Sequence, residues 1–122
     1  MKSINTPAAK CLASFCLSSL NGESVDLYKN GVSASLERIA GEVFSESRPE
    51  VWYDGLLEAG IRKRKPSQIE ITGNMVVADG LGKQWGETCR VRLTDARAAG
   101  MGVQMILEVG EYRGEAQLLA VD

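Results

Sequence analysis

The feature that most constrains the fold of this chain is a change in the spacing of its apolar residues near the middle of the sequence. Before residue 61 they recur every three or four positions, which is typical of helices packed on a core. After residue 66 they alternate with polar residues, as in strands with one buried face. The order predicts an α+β fold, with about three N-terminal helices packed on one face of a mainly antiparallel C-terminal sheet of about five strands.

Length and composition fit a single soluble domain. The 122 residues include 44% hydrophobic and 25% charged residues, with a net charge of −2. We expect one domain over residues 1–122, with a helical half at about 6–60, a basic hinge at 61–66 and a strand half at about 67–122. Three cysteines without a CxxC pair indicate reduced thiols, and no apolar run is long enough to cross a membrane. These features favour a cytoplasmic protein.

Local signals define the first two helices. Thr6 is a suitable N-cap and Pro7 suits the first helical position, while Asn21-Gly22 ends this helix. A second helix begins near Ser33 or Ser35 and carries a regular apolar stripe. The stripe consists of Leu36, Ile39, Ala40, Val43 and Phe44.

A third helix is predicted from the capping-box pattern of residues 47–50, which places a proline just inside the helix. It would direct Trp52, Leu56 and Ala59 inward and end at Gly60.

In the strand half, Gly73-Asn74 predicts a hairpin turn between two short strands. The alternation around Cys89 and Val91 places Arg90 and Arg92 on one face of a strand.

Several kinds of site are disfavoured by the residues present. The chain has no histidine, which removes Ser-His and Cys-His catalysis and imidazole-based zinc sites. Cys11, Cys16 and Cys89 are interpreted as packing residues, so we expect no metal, cofactor or catalytic residue. The glycine-rich segment 80–86 fits neither common phosphate-loop pattern and is interpreted as a connection between strands, with anion binding as the alternative.

Charge is distributed in two opposed patterns. Acidic residues recur every four positions across the second and third predicted helices, at Glu42, Glu46, Glu50, Asp54 and Glu58. Solvated helix faces explain this spacing, and an acidic docking surface is the functional alternative. The densest basic run is Arg62, Lys63, Arg64 and Lys65. One interpretation is that these positive charges complement the dipole at the C-terminus of the third helix. The alternative is that they contact phosphate groups, in a basic patch that Arg90 and Arg92 would enlarge.

These patterns leave three functional hypotheses. The leading one is a small non-enzymatic protein-binding factor, of the inhibitor, immunity, anti-defence or adaptor type, whose acidic and basic residues contact another protein. The second is a nucleic-acid-binding accessory protein that uses Arg62–Lys65 with Arg90 and Arg92. An enzyme using carboxylates or a lone thiol is the third. We also expect a homodimer, because Ile106, Leu119 and Val121 give the last hairpin a second apolar face.

Overall fold

The computed structural model describes residues 2–44 and 51–119. In chain order the elements are β1 (Lys2–Ile4), α1 (Pro7–Leu20), α2 (Val32–Phe44), β2 (Val51–Lys65), β3 (Gln68–Asp79), β4 (Gln84–Asp95), β5 (Val103–Val109) and β6 (Tyr112–Leu118), with a single 3-10 turn at Arg97–Ala99. The predicted α+β class is confirmed. Over the described residues there are two α-helices instead of about three, and six strands instead of about five.

The six strands form one sheet in the order β1-β6-β5-β4-β3-β2. All neighbouring pairs are antiparallel except β1 and β6, which are parallel. Both helices pack on the same face, which we call the helix-covered face, and the opposite face is the open face. The core between them includes Leu12, Leu36, Ile71, Val91 and Leu107. Burial of each such side chain contributes about 1.5–3 kcal/mol.

Local signals predicted the start of α1 correctly, whereas α2 begins earlier than predicted. The Thr6 hydroxyl accepts a hydrogen bond from the Ala9 N–H at 3.3 Å, which confirms Thr6 as the N-cap of α1. The helix ends at Asn21, as predicted. α2 begins at Val32, one residue before the predicted cap. Ser33 has a different role, since its hydroxyl accepts the Leu56 N–H at 3.0 Å and links α2 to β2.

The predicted third helix is wrong, because residues 51–65 form β2 and pair with β3 from Val51 to Lys65. The reason is a pair of register irregularities, between Asp54 and Leu56 and between Leu56 and Glu58. Each adds a residue to the strand, so Tyr53 and Leu56 both face the core although they are three positions apart. This spacing imitates a helix. The predicted capping box at 47–50 lies outside the described residues.

The predicted turn at Gly73-Asn74 is also wrong, since both residues lie inside β3. The chain reverses at residues 66–67, so the basic run forms the end of β2 instead of a hinge between two halves. Gly73 has a packing role, because a Cβ there would clash with the backbone carbonyl oxygen of Glu58 in the irregular part of β2.

The short strand β1 has no counterpart among the predicted elements. Three residues are too few to show an alternating pattern, and β1 depends on the distant strand β6 for its hydrogen bonds. Ile4 is its buried residue, and the Ile4 carbonyl oxygen accepts a hydrogen bond from the Leu119 N–H at 3.0 Å.

Candidate binding surface

The open face carries a cluster of arginines on neighbouring strands. Arg62 of β2 lies opposite Glu70 of β3, and Glu70 lies opposite Arg92 of β4, so the three form one cross-strand row. In the next row, Arg90 lies opposite Thr72. Directly opposite residues in an antiparallel sheet have their side chains on the same face, about 5 Å apart at Cβ. Three arginines that are distant in sequence are therefore neighbours.

Glu70 is the acidic centre of this cluster. Its side chain is buried, and its Oε2 atom lies 2.7 Å from Nη1 of Arg64 and 3.6 Å from Nε of Arg92. Burial alone would raise the pKa of Glu70. The hydrogen bond from Arg64 and the charges of Arg64, Arg90 and Arg92 outweigh burial and hold this pKa below its ordinary value of 4.5. Glu70 is therefore a carboxylate at neutral pH.

Arg92 connects Glu70 to a second carboxylate. Its Nη2 atom donates to Oε1 of Glu108 on β5 at 2.9 Å, and its side chain is partly buried. The ion pairs thus run from Arg64 through Glu70 and Arg92 to Glu108, across β2, β3, β4 and β5. Such contacts fix the guanidinium groups in position at low cost in side-chain entropy.

The remaining predicted basic residues divide between the two faces. Over the described residues, Arg62, Lys65 and Arg90 are exposed and make no ion pair, so their charges are available to a partner. Lys63 lies opposite the buried Ile69, which places it on the helix-covered side. The structure therefore gathers Arg62, Arg64, Arg90 and Arg92 and separates Lys63 from them.

The predicted acidic stripe is divided between elements. Glu42 lies on α2, where its carboxylate is 3.8 Å from Nζ of Lys2. Asp54 and Glu58, predicted on a helix, lie on β2. Glu46 and Glu50 lie outside the described residues. The structure therefore separates Glu42 from Glu58, and a partner-binding role for these acidic residues stays a prediction.

Residues 80–83 of the glycine-rich segment connect β3 to β4, and residues 84–86 already belong to β4. Three backbone donors of this segment are already used, because Oδ1 of Asp79 accepts the N–H groups of Leu81 and Lys83, both at 2.9 Å, and the Asp79 carbonyl oxygen accepts that of Gly82. An anion would have to displace this carboxylate and would be repelled by it. The geometry therefore disfavours the anion-binding alternative.

Two of the three thiols are inert by burial. Burial raises the pKa of Cys89 to about 12, and burial with the nearby Asp95 carboxylate raises that of Cys16 to about 12. Cys11 is partly exposed and its thiol donates to the Asn30 carbonyl oxygen at 3.2 Å. Across residues 2–44 and 51–119, no group of three metal-binding side chains occurs, and no helix is long and apolar enough to span a membrane.

No family model, curated protein or solved structure matches the chain.

The central position of Glu70 was not found from the sequence, although its alternation with Ile69 and Ile71 placed it on the face opposite the core. The missing information was the register between β3 and its neighbours, which puts Glu70 between Arg62 and Arg92.

Proposed function

We propose that this protein is a small non-enzymatic binding factor, of the inhibitor, immunity, anti-defence or adaptor type, which binds an acidic surface of another protein through its open face. The observation that carries the proposal is the set of arginines arranged around the buried Glu70. Arg64 and Arg92 are held by ion pairs, while Arg62 and Arg90 beside them are exposed and make no ion pair among the described residues.

The mixed charges of the open face suit a protein partner. Arginine is enriched at the energetically dominant positions of protein interfaces, where its planar group binds carboxylates with two hydrogen bonds. Fixed neighbouring charges of both signs favour partners with the complementary arrangement and disfavour others. Arg62 and Arg90 are the residues proposed to meet carboxylates of the partner, with Lys63 and Lys65 at the margin. Glu42, Glu46, Glu50, Asp54 and Glu58 are proposed to contribute a second, acidic contact.

The experiment compares an open-face variant with a variant of equal charge change on the helical layer. Arg90→Glu removes an exposed open-face cation, and Arg38→Glu removes an exposed cation of α2. Each protein is immobilised, incubated with native lysate and analysed by quantitative mass spectrometry. We expect a stoichiometric protein that the wild type and Arg38→Glu retain and Arg90→Glu loses. Absence of such a protein, or equal retention by both variants, would contradict the proposal.

Nucleic-acid binding is the second candidate, and the same gathering of Arg62, Arg64, Arg90 and Arg92 favours it. Two observations weaken it. Glu70 and Glu108 compensate the charges of Arg64 and Arg92. The register also places Trp85 opposite the buried Val77, on the helix-covered face, where it cannot stack on bases bound to the open face.

A salt titration tests this candidate. A nucleic-acid-binding face releases counterions, so the affinity for a mixed DNA and RNA pool should fall steeply between low and physiological salt. Fluorescence anisotropy with the wild type and with Arg90→Glu measures this. A flat salt response, or no binding at low salt, would remove the candidate.

A further inference from the structure

The outer side of β2 is an open sheet edge. β2 is the last strand in the sheet order, and over the described residues it has a neighbour on one side only, β3. Every second residue of such a strand points its N–H and C=O groups outward, where they can pair with another chain. β1, at the other edge, has three residues, whereas β2 has fifteen.

Part of this edge is already occupied by side chains of the helical layer. The Leu56 N–H donates to the Ser33 hydroxyl, and the Tyr28 hydroxyl donates to the Leu57 carbonyl oxygen, both at 3.0 Å. These contacts satisfy backbone groups where β2 is irregular. The stretch that follows them, residues 58–62, pairs with β3 residue by residue from Glu58 to Arg62, and no described strand pairs with its outer side.

Apolar side chains are exposed along the same edge. Tyr28, Leu57 and Ile61 are 50%, 60% and 42% exposed, and they are three of the five large hydrophobic side chains found exposed in the described part of the chain. Ile61 also lines a groove of about 360 Å³ between β2 and the segment that follows α1. Exposed apolar groups beside an unpaired strand edge favour association with another strand.

The charges of residues 58–62 are self-complementary. Glu58 lies opposite Asn74 and Arg62 opposite Glu70, four residues along β3, so Glu58 and Arg62 share the open face. In an antiparallel pair of two copies centred on Gly60, Glu58 of one copy lies directly opposite Arg62 of the other, twice. Over the described residues, neither Glu58 nor Arg62 has an ion-pair partner within its own chain.

We propose that two copies of this protein pair through their β2 edges, antiparallel and centred on Gly60, to form a continuous twelve-stranded sheet with two-fold symmetry. Other registers fit less well. A strand pair centred on Ala59 would need the outward backbone groups of residues 56 and 57, which are already hydrogen-bonded to Ser33 and Tyr28. A centre at Ile61 would place Glu58 opposite Arg64, which is bound to Glu70. The lysines at 63 and 65 disfavour pairing with unrelated strands.

The experiment is a charge exchange read by oligomeric mass. Sedimentation equilibrium over a range of concentrations should show a dimer for the wild type. Glu58→Arg and Arg62→Glu each convert two attractive pairs into two repulsive ones, which should raise the dimer dissociation constant about tenfold. The double variant Glu58→Arg/Arg62→Glu restores both pairs and should return the constant to within about threefold of the wild type.

Controls separate this interface from other surfaces. Glu115→Arg makes the same charge change on β6, far along the sheet order from β2, and should dimerise like the wild type. Arg90→Glu should also dimerise normally, so a failure of the proposed partner binding leaves this inference intact. Amide hydrogen exchange of the wild type provides a readout without mutation, because backbone amides within residues 58–62 should become more protected as protein concentration rises.

Three outcomes would overturn the inference. These are a monomeric mass at all concentrations, a dimer that the single charge changes do not weaken, and a double variant as weak as the single variants. A monomer would leave the β2 edge to a strand of another protein.

Discussion

Among the charged residues that the structure describes, Glu70 has the largest expected effect on stability, because it is buried, hydrogen-bonded to Arg64 and ion-paired with Arg92. Glu70→Gln would leave two guanidinium groups without their shared carboxylate. We expect a loss of about 1–3 kcal/mol in the free energy of unfolding, measured by urea denaturation. Glu115→Gln, which removes an exposed partner of Arg113, should cost less than about 1 kcal/mol. Equal losses in both variants would contradict the central role of Glu70.

The pH dependence of the same residue follows from the direction of its pKa shift. The folded-state pKa of Glu70 lies below its ordinary value of 4.5, so its contribution to stability is complete above about pH 4.5 and is lost as pH falls through the folded-state pKa. The stability difference between wild type and Glu70→Gln should therefore shrink in acid. Urea titrations at pH 7 and at stepwise lower pH measure it. A difference that stays constant down to pH 2 would show that charge is not its source.

The three thiols should differ in reactivity. Because Cys16 and Cys89 are buried with pKa values of about 12, a thiol reagent should modify only Cys11 in the folded protein at pH 8. Intact mass spectrometry should show one label, and three labels after denaturation. The variant Cys11→Ser should show none while folded. Rapid labelling of a second thiol in the native protein would contradict the packing described for α1 and β4.

β2 approaches Gly73 of β3 very closely at Glu58, where the second irregularity of β2 ends. A methyl group there would clash with the Glu58 carbonyl oxygen, so Gly73→Ala must displace one strand from the other. We expect a loss of about 2 kcal/mol or more. Gly86 of β4 is the matched control, since a Cβ there meets no atom within 4 Å and Gly86→Ala should change stability by less than about 1 kcal/mol. Thermal unfolding of both variants measures this difference.

Elements with local signals could be predicted, and those that depend on distant contacts could not. The start of α1 was predictable because Thr6 and Pro7 act on their own helix. β2 was predicted as a helix from the pattern at 47–50 and from the spacing of Trp52, Leu56 and Ala59. The strand irregularities do bring Leu56 and Ala59, three positions apart, onto the core side. For the candidate surface, the alternation of apolar and polar residues predicted that Arg90 and Arg92 share one face of the strand. Their proximity to Arg62 and Glu70 could not be predicted, because it depends on the register between strands.

The strand order of the sheet predicts where the backbone is most protected from exchange. β3, β4 and β5 each have strands on both sides, whereas β1 is a three-residue strand at one edge of the sheet. We expect the slowest amide hydrogen exchange in β4 and its neighbours and the fastest strand exchange in β1. Exchange measured by mass spectrometry on peptides would test this order. Equal protection of β1 and β4 would contradict it.

The β2 edge supports homodimer formation better than the second face of the last hairpin does. On the open face of β5 and β6, Ile106 lies opposite the exposed Glu115 and beside Arg92, so the face is mostly polar there. Leu119 follows the end of β6, and Val121 lies outside the described residues. The dimer stays a prediction.

The three extra residues in β2 also set which side of the molecule each later residue of that strand occupies. Loss of one residue near Gly55 would exchange the inward and outward positions on one side of the deletion, because side chains alternate along a strand. Either Tyr53 would leave the interior or Arg62 would turn toward it. A single-codon deletion here should therefore be far more damaging than any substitution at the same position.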